Sequence, residues 1–160
     1  MGVTASPAAR TRAGAFARAG LVLGIVLVVD QATKAIVRAS LDPGERHEIL
    51  PFLHLVRARN EGIAFGALAG GGTVVIAIVA AALIGLVVYF VTNSTKRLAW
   101  LPTGLLLGGA LGNIIDRVRA GGVTDFVQFP HWPAFNVADM AITAGVVALV
   151  FAIDASDDRG

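Results

Sequence analysis

Residues 112–140 read G-N-I-I-D-R-V-R-A-G-G-V-T-D-F-V-Q-F-P-H-W-P-A-F-N-V-A-D-M, beginning at the polar end of one apolar segment and closing inside the start of the next. Three of the chain's few acids outside its tails, Asp116, Asp125 and Asp139, fall in this stretch, each among apolar neighbours. An ionised carboxylate is costly there. Asn113 precedes Asp116 by three positions and Asn136 precedes Asp139 by three, a spacing that puts amide and acid on one helical face. Polar groups close to hydrocarbon are rarely kept without a use.

Working outward, the 160 residues are 56% hydrophobic and only 15% charged, with a mean hydropathy of +0.74. A soluble domain of this length needs more charge on its surface. The apolar residues also come in long unbroken runs, which indicates a single integral membrane domain, residues 19–153. The formal charge of +2 comes from scattered bases and does not point to nucleic acid. Absence of cysteine excludes disulfides, thiolate catalysis and cysteine metal sites.

Residues 1–18 carry Arg10, Arg12 and Arg18 in an Ala/Gly-rich setting and are expected to form a basic, disordered tail. With Leu21–Val29 they imitate a secretory signal. No small-x-small cleavage site follows, however, so a first membrane helix over Ala19–Val37 is the better reading. Asp30 and Lys34 sit one turn apart near its end, in the favourable acid-before-base order. They either neutralise each other or brace something on that side. Residues 38–72 form a polar connection. Ile49–Val56 is strand-like but interrupted by Pro51, Asn60-Glu61-Gly62 resembles a turn, and together they predict a small β element outside the membrane.

Gly70-Gly71-Gly72 leads into an uncharged second span, Thr73–Val91, and about 20 apolar residues suffice to cross a bilayer. The short turn Asn93–Arg97 makes the third span, Leu98–Ile115, its antiparallel neighbour. Gly104, Gly108 and Gly112 recur every fourth residue, a seam that admits a neighbouring helix, and one more step reaches Asp116. Asp116 is therefore expected to face the bundle, braced with Asn113 beside Arg117 and Arg119. A fourth span runs from Val137 to Ile153, and residues 154–160 are expected to be a solvated tail. The fold class expected is an all-α integral membrane protein of four transmembrane helices, with a small extracytoplasmic β-cradle between helices 1 and 2. Both termini then share a side. Counts of six and seven Lys/Arg on the two sides do not orient the chain, although the unaccompanied bases Arg10, Arg12, Arg18, Lys96 and Arg97 favour cytoplasmic termini.

If V-T-D-F-V-Q-F is extended, alternation puts Asp125 on one face with Val123, Val127 and Phe129, where desolvation raises its pKa. Asp139 opens the fourth helix on the same side of the membrane, where the helix N-terminus favours its charge. Two carboxylates sharing a proton can activate water and protonate an amide leaving group. The residues leave two alternatives open, a purely structural polar layer and a cation site made by the three acids. His47, His54 and His131 lack metal-ligand spacing, and Trp132 between Pro130 and Pro133 marks the membrane–water interface.

Five blocks carry a family resemblance: D-Q-A-T-K at 30–34, N-E-G-I-A-F at 60–65, G-G-A-L-G-N-I-I-D-R at 108–117, V-T-D-F at 123–126 and F-N-V-A-D at 135–139. In this order on a four-span chain they resemble the lipoprotein signal peptidases (signal peptidase II), bacterial membrane aspartyl proteases, over about residues 20–153. The resemblance implies that Asp125 and Asp139 are the catalytic dyad. It also implies that Asp30, Lys34, Asn60, Asn113, Asp116, Arg117, Asn136 and Ala138 shape and support the site. It implies a prolipoprotein substrate whose cysteine already carries diacylglycerol, cleaved just before that cysteine, with no metal or organic cofactor. Its partners would be membrane lipids and no nucleic acid, and the protein would be a monomer of the cytoplasmic membrane with cytoplasmic termini and an extracytoplasmic active site. Glu61 departs from the pattern, which leads one to expect a small or hydroxylated residue, and the basic N-terminal tail is longer than typical.

Overall fold

The computed structural model describes residues 7–62, 71–96 and 98–157. Ile63–Phe65 of the second block, Arg97, residues 1–6 of the expected N-terminal tail and the last three residues lie outside the described residues. The fold is mostly helical with one small antiparallel sheet, in the order α1 (Pro7–Ser40), β1 (Arg46–Leu50), β2 (Leu53–Asn60), α2 (Gly71–Asn93), α3 (Trp100–Ala120), β3 (Val123–Gln128) and α4 (Val137–Asp157). By length and hydropathy, α1 over Thr11–Ser40 is long and apolar enough to cross a membrane. Ala80–Asn93 and Val137–Ile153 are shorter apolar stretches among the described residues.

The glycine seam of α3 packs on α1. A methyl group added at Gly104 would lie 2.7 Å from the carbonyl oxygen of Ala19, and one added at Gly108 would lie 2.8 Å from Val26 Cβ. At Gly112 it would meet the Asp30 carboxylate at 2.5 Å. The matched steps of four along both helices bring backbones together without intervening side chains, and they carry Asp30 of α1 beneath the polar end of α3. Gly109 faces the other way: its Cβ would sit 2.5 Å from the carbonyl oxygen of Ala138 in α4. Thus α3 is the shared wall between α1 and α4, and the fully buried Ala138 packs against Gly109 and Gly112 of α3 and the Asp30 side chain of α1.

The N-terminal expectation is corrected. Instead of a disordered tail, α1 begins at Pro7, where a fixed φ and a missing N–H suit a first helical residue. Arg12 donates from Nε to Ser94 Oγ (3.2 Å) and from Nη2 to the Val91 carbonyl (3.0 Å), while Ala15 and Ala19 are buried against Phe90 and Ala99. The start of α1 is therefore helix held by the end of α2 and the connection to α3. Likewise α4 continues to Asp157 instead of stopping at Ile153.

The sheet order is β1-β2-β3, so the cradle is not confined to the first connection: its third strand comes from between α3 and α4. Pro51 falls in the tight turn joining β1 to β2, where its missing N–H disturbs no ladder. Asn60 at the end of β2 pairs with Val123 at the start of β3, and Ala58 pairs with Asp125. The amides of Phe126 and Val127 both donate to the Phe135 carbonyl, which bulges β3. Phe126 joins an apolar cluster with Val37 of α1 and Leu41 just beyond it, while Asp125 stays buried. Arg57 donates to the carbonyls of Arg38 and Leu41 (3.0 and 2.8 Å), tying β2 to the end of α1.

Candidate active site

The polar ends of α1, α3 and α4 meet β2 and β3 in two connected layers. In the deeper one, Lys34 is fully buried and its ammonium reaches Asp30 Oδ2 at 2.9 Å, Asp116 Oδ2 at 3.2 Å and Asn113 Oδ1 at 2.8 Å. Those three partners match the three ammonium protons. Asp30 turns its other oxygen to the backbone N–H of Ala138 (2.9 Å), so α1 satisfies an open donor at the N-terminus of α4. Asp116 also accepts from the Thr124 amide (3.1 Å) and lies 3.7 Å from Arg38.

This arrangement corrects the expected brace. Arg117 does not hold Asp116; its guanidinium donates to the Asn113 carbonyl on its own helix at 3.3 Å. The counter-charges for Asp116 come from α1 instead. Consecutive helical residues diverge around the axis, so adjacency in sequence did not mean contact. The cation site expected from Asp116, Asp125 and Asp139 is not assembled: Asp116 is paired with the Lys34 ammonium in the deeper layer, while Asp125 and Asp139 are bonded by asparagines in the outer one. Among the described residues no group of three His, Cys, Asp or Glu side chains has metal-binding geometry.

The outer layer holds Asp125 and Asp139. Asn136 caps α4: its Oδ1 accepts from the Asp139 amide (3.0 Å), and Asp139 Oδ2 accepts from the Asn136 amide (3.2 Å). This reciprocal pair is a capping box built from Asn and Asp. The same Asn136 donates from Nδ2 to Asp125 Oδ1 at 2.6 Å, so one residue bonds both acids. Asn113 Nδ2 donates to Asp139 Oδ1 at 2.8 Å, and Asn60 Nδ2 donates to Asp125 Oδ2 at 3.1 Å. Burial pushes the Asp125 carboxyl up to about 6, and the nearby Asp139 charge adds to it; the Asn60 and Asn136 bonds and Lys34 oppose the rise.

The two acids differ in access. Asp125 is only 2% exposed, whereas Asp139 is half-buried and forms part of the wall of a cleft of about 530 Å³ with Trp132, Phe135, Met140, Thr143 and Ala144. The cleft is mostly apolar, with Trp132 exposed at its side, and it suits an apolar chain passing a carboxylate. The Asn60-Glu61-Gly62 turn is closed by the Gly62 amide donating to Asn60 Oδ1 (2.9 Å), which fixes the amide that reaches Asp125. Glu61 is exposed and pairs with Arg59 at 3.0 Å, away from both acids.

Three further residues in this network escaped the sequence reading. Gln31 donates to Asp30, the Gly112 carbonyl and Asp116 at 3.1–3.3 Å. Arg38 reaches Asp116 and donates to Thr124 Oγ1 at 3.1 Å, and the Thr124 backbone amide meets Asp116. The four-residue step from Asp30 through Lys34 to Arg38 was a usable signal. Nothing in the sequence marked Gln31 or Thr124 beyond the blocks that contain them.

Comparison with known proteins places this geometry. A family model described as signal peptidase (SPase) II matches residues 22–154. The lipoprotein signal peptidase of Thermodesulfovibrio yellowstonii (strain ATCC 51303 / DSM 11347 / YP87) is 41% identical over 131 residues, covering 79% of this chain and 88% of its own length. That of Moorella thermoacetica (strain ATCC 39073 / JCM 9320) is 42% identical over 127 residues, covering 78% and 85%. A solved structure described as a bacterial membrane enzyme determined by the in meso method at 1.9 Å resolution superposes with a TM-score of 0.79 at 35% identity, covering 84% of this chain and 91% of that one.

Proposed function

The chain belongs to the signal peptidase II family, an integral membrane protein of bacteria, and from that premise we propose that it is an aspartyl endopeptidase with Asp125 and Asp139 as its dyad. It removes the signal peptide from prolipoproteins whose cysteine carries diacylglycerol, cutting just before that cysteine. The observation that carries the reading is the double bond of Asn136, whose side chain holds Asp125 while its amide holds Asp139.

Asp139 lies at the N-terminus of α4, lines the cleft and accepts two N–H bonds, and it takes a proton from water. In the singly protonated form of the dyad, Asp125, whose pKa burial raises to about 6, carries the shared proton and gives it to the carbonyl oxygen of the scissile peptide. The roles reverse as the amine departs. Asn60, Asn113 and Asn136 fix both carboxylates with neutral donors, which orient without quenching. Asp30, Lys34, Asp116 and Arg38 form the platform below, and Arg117 ties off the end of α3.

Depth follows from α1. Arg18 is exposed and Arg38 is half-buried at its surface, and the charges between them, Asp30 and Lys34, are completely buried. Twenty residues at 1.5 Å each give about 30 Å, the thickness of a bilayer's hydrocarbon. With four crossings both termini share a side; on our reading, which follows the family resemblance, that side is the cytoplasm and the dyad lies near the opposite surface of the cytoplasmic membrane. Substrate acyl chains stay in hydrocarbon along the apolar cleft while the peptide reaches Asp139. The dyad lies within one chain, so a monomer is sufficient.

The test is to incubate purified protein with a diacylated prolipoprotein and follow release of the signal peptide. Asp125→Asn and Asp139→Asn should each abolish release in a folded, membrane-inserted protein. Normal processing by either variant would refute the dyad.

A further inference from the structure

At the opposite end of the bundle from the dyad, α1, the end of α2 and the start of α3 enclose a cavity of about 390 Å³. Its lining includes Gly14, Arg18, Ser94, Lys96, Leu98 and Trp100. We propose that this cavity binds the headgroup of an anionic phospholipid.

The charge on its walls is of one sign. Arg18 and Lys96 are both exposed and both line it, and among the described residues no acid does. The Arg18 guanidinium lies over the Trp100 ring at 5.9 Å, a contact that holds the cation at the cavity wall. Arg12 plays a different part: its bonds to Ser94 and the Val91 carbonyl close one wall and hold the extended α1 against α2. Leu98, 48% exposed at the rim, has a φ of +69°. Left-handed backbone is unfavourable for leucine, and such strain gathers at ligand clamps.

The surroundings favour a lipid over a free anion. Immediately above Arg18, α1 presents Leu21, Ile25 and Val28 outward, each more than half exposed, and α2 presents Val88. Arg18 therefore marks where the apolar face stops and headgroups begin. One turn further along α1, Gly20, Leu21, Gly24 and Ile25 line a shallow apolar groove of about 490 Å³, and side chains added at Gly20 or Gly24 would meet nothing within 4 Å. A phosphate seated at Arg18 and Lys96 leaves an acyl chain lying in that groove. A zwitterionic headgroup brings its own cation to two bases, so phosphatidylglycerol is preferred to phosphatidylcholine.

The test uses the full chain purified in neutral detergent, with native mass spectrometry and thermal unfolding in phosphatidylglycerol, phosphatidylcholine of the same acyl chains, or inorganic phosphate. Phosphatidylglycerol should be retained at one molecule per chain and should raise the unfolding midpoint, while the other two should do neither. Lys96→Gln should weaken retention about fivefold, the worth of one base at a membrane surface, and Arg18→Gln with Lys96→Gln more. Gly14→Leu, placed where an added Cβ meets nothing within 4 Å, should fill the cavity and weaken retention without changing charge. An unchanged midpoint without lipid and retained peptidase activity show that the variants fold. Wild-type retention in both Lys96→Gln and Gly14→Leu overturns the proposal, as does a phosphatidylcholine effect equal to that of phosphatidylglycerol. An equal midpoint shift with inorganic phosphate would make this a free-anion site and likewise overturn it.

Discussion

The two acid layers at the polar end of the bundle use the same side chain for opposite ends. In the deeper layer Asp30 and Asp116 share the Lys34 ammonium, with Arg38 alongside Asp116. In the outer layer Asp125 and Asp139 are held by asparagine side chains and one backbone amide, with no cation in bonding contact among the described residues. Neutral donors fix an orientation and leave the charge available for chemistry. A paired ammonium consumes it. On the proposed assignment, the difference separates a platform from a reactive pair within one hydrogen-bonded network, and Asn113 joins them by accepting from Lys34 and donating to Asp139.

The contrast breaks most sharply at the dyad. Asp125→Asn should lower turnover at least about 10³-fold while the thermal midpoint at neutral pH holds or rises, because a buried charge is removed. A falling midpoint would move Asp125 into the platform. Lys34→Met should do the reverse, costing roughly 3 kcal/mol or more by leaving two buried carboxylates unpaired, seen as a large drop in midpoint in detergent. A stable Lys34→Met protein would show that the deeper layer is not held by its ammonium.

The pH dependence sharpens the same comparison. The carboxyl of Asp125 rises from 3.8 to about 6 on folding, so the native state binds its proton more tightly than the unfolded state. Its stabilising contribution is complete below about 3.8 and is lost as pH rises through about 6, a change of roughly 3 kcal/mol. Melts across that window should show the loss, and Asp125→Asn should flatten it. Asn136→Ala should lower kcat by about 10- to 100-fold with little change in KM, since it frees the carboxylates without removing them. The smallest effect belongs to Arg117→Gln: with its guanidinium on its own helix, stability should shift by no more than about 0.5 kcal/mol.

Legibility in the sequence followed the range of each interaction. Asp30 with Lys34 and the Gly104–Gly108–Gly112 seam were readable because a helix repeats every turn. The seam even pointed to Asp116. Its counter-charges were not readable: Lys34 and Arg38 lie some eighty residues earlier, and local spacing offered Arg117 instead. The tail of α1 failed for the same reason. Its Ala- and Arg-rich composition carries no apolar period, and what orders it is Ser94 and Val91, far along the chain. The sheet was half legible: Ile49–Val56 read as one strand-like stretch, which the structure splits at Pro51 into β1 and β2, and V-T-D-F-V-Q-F read as extended, but nothing local said that β3 joins them from the far side of two helices. The family blocks reached past these limits because they preserve the distant partners together.

The bond from Asp30 to the Ala138 amide has a consequence for how such a protein is made. Asp30 leaves the ribosome 108 residues ahead of its partner amide, so that carboxylate waits for the last helix to dock. If Asp125 and Asp139 are the proposed dyad, the nascent chain stays inert while neighbouring substrates thread through the same membrane, and competence arrives only when the final segment locks against the first.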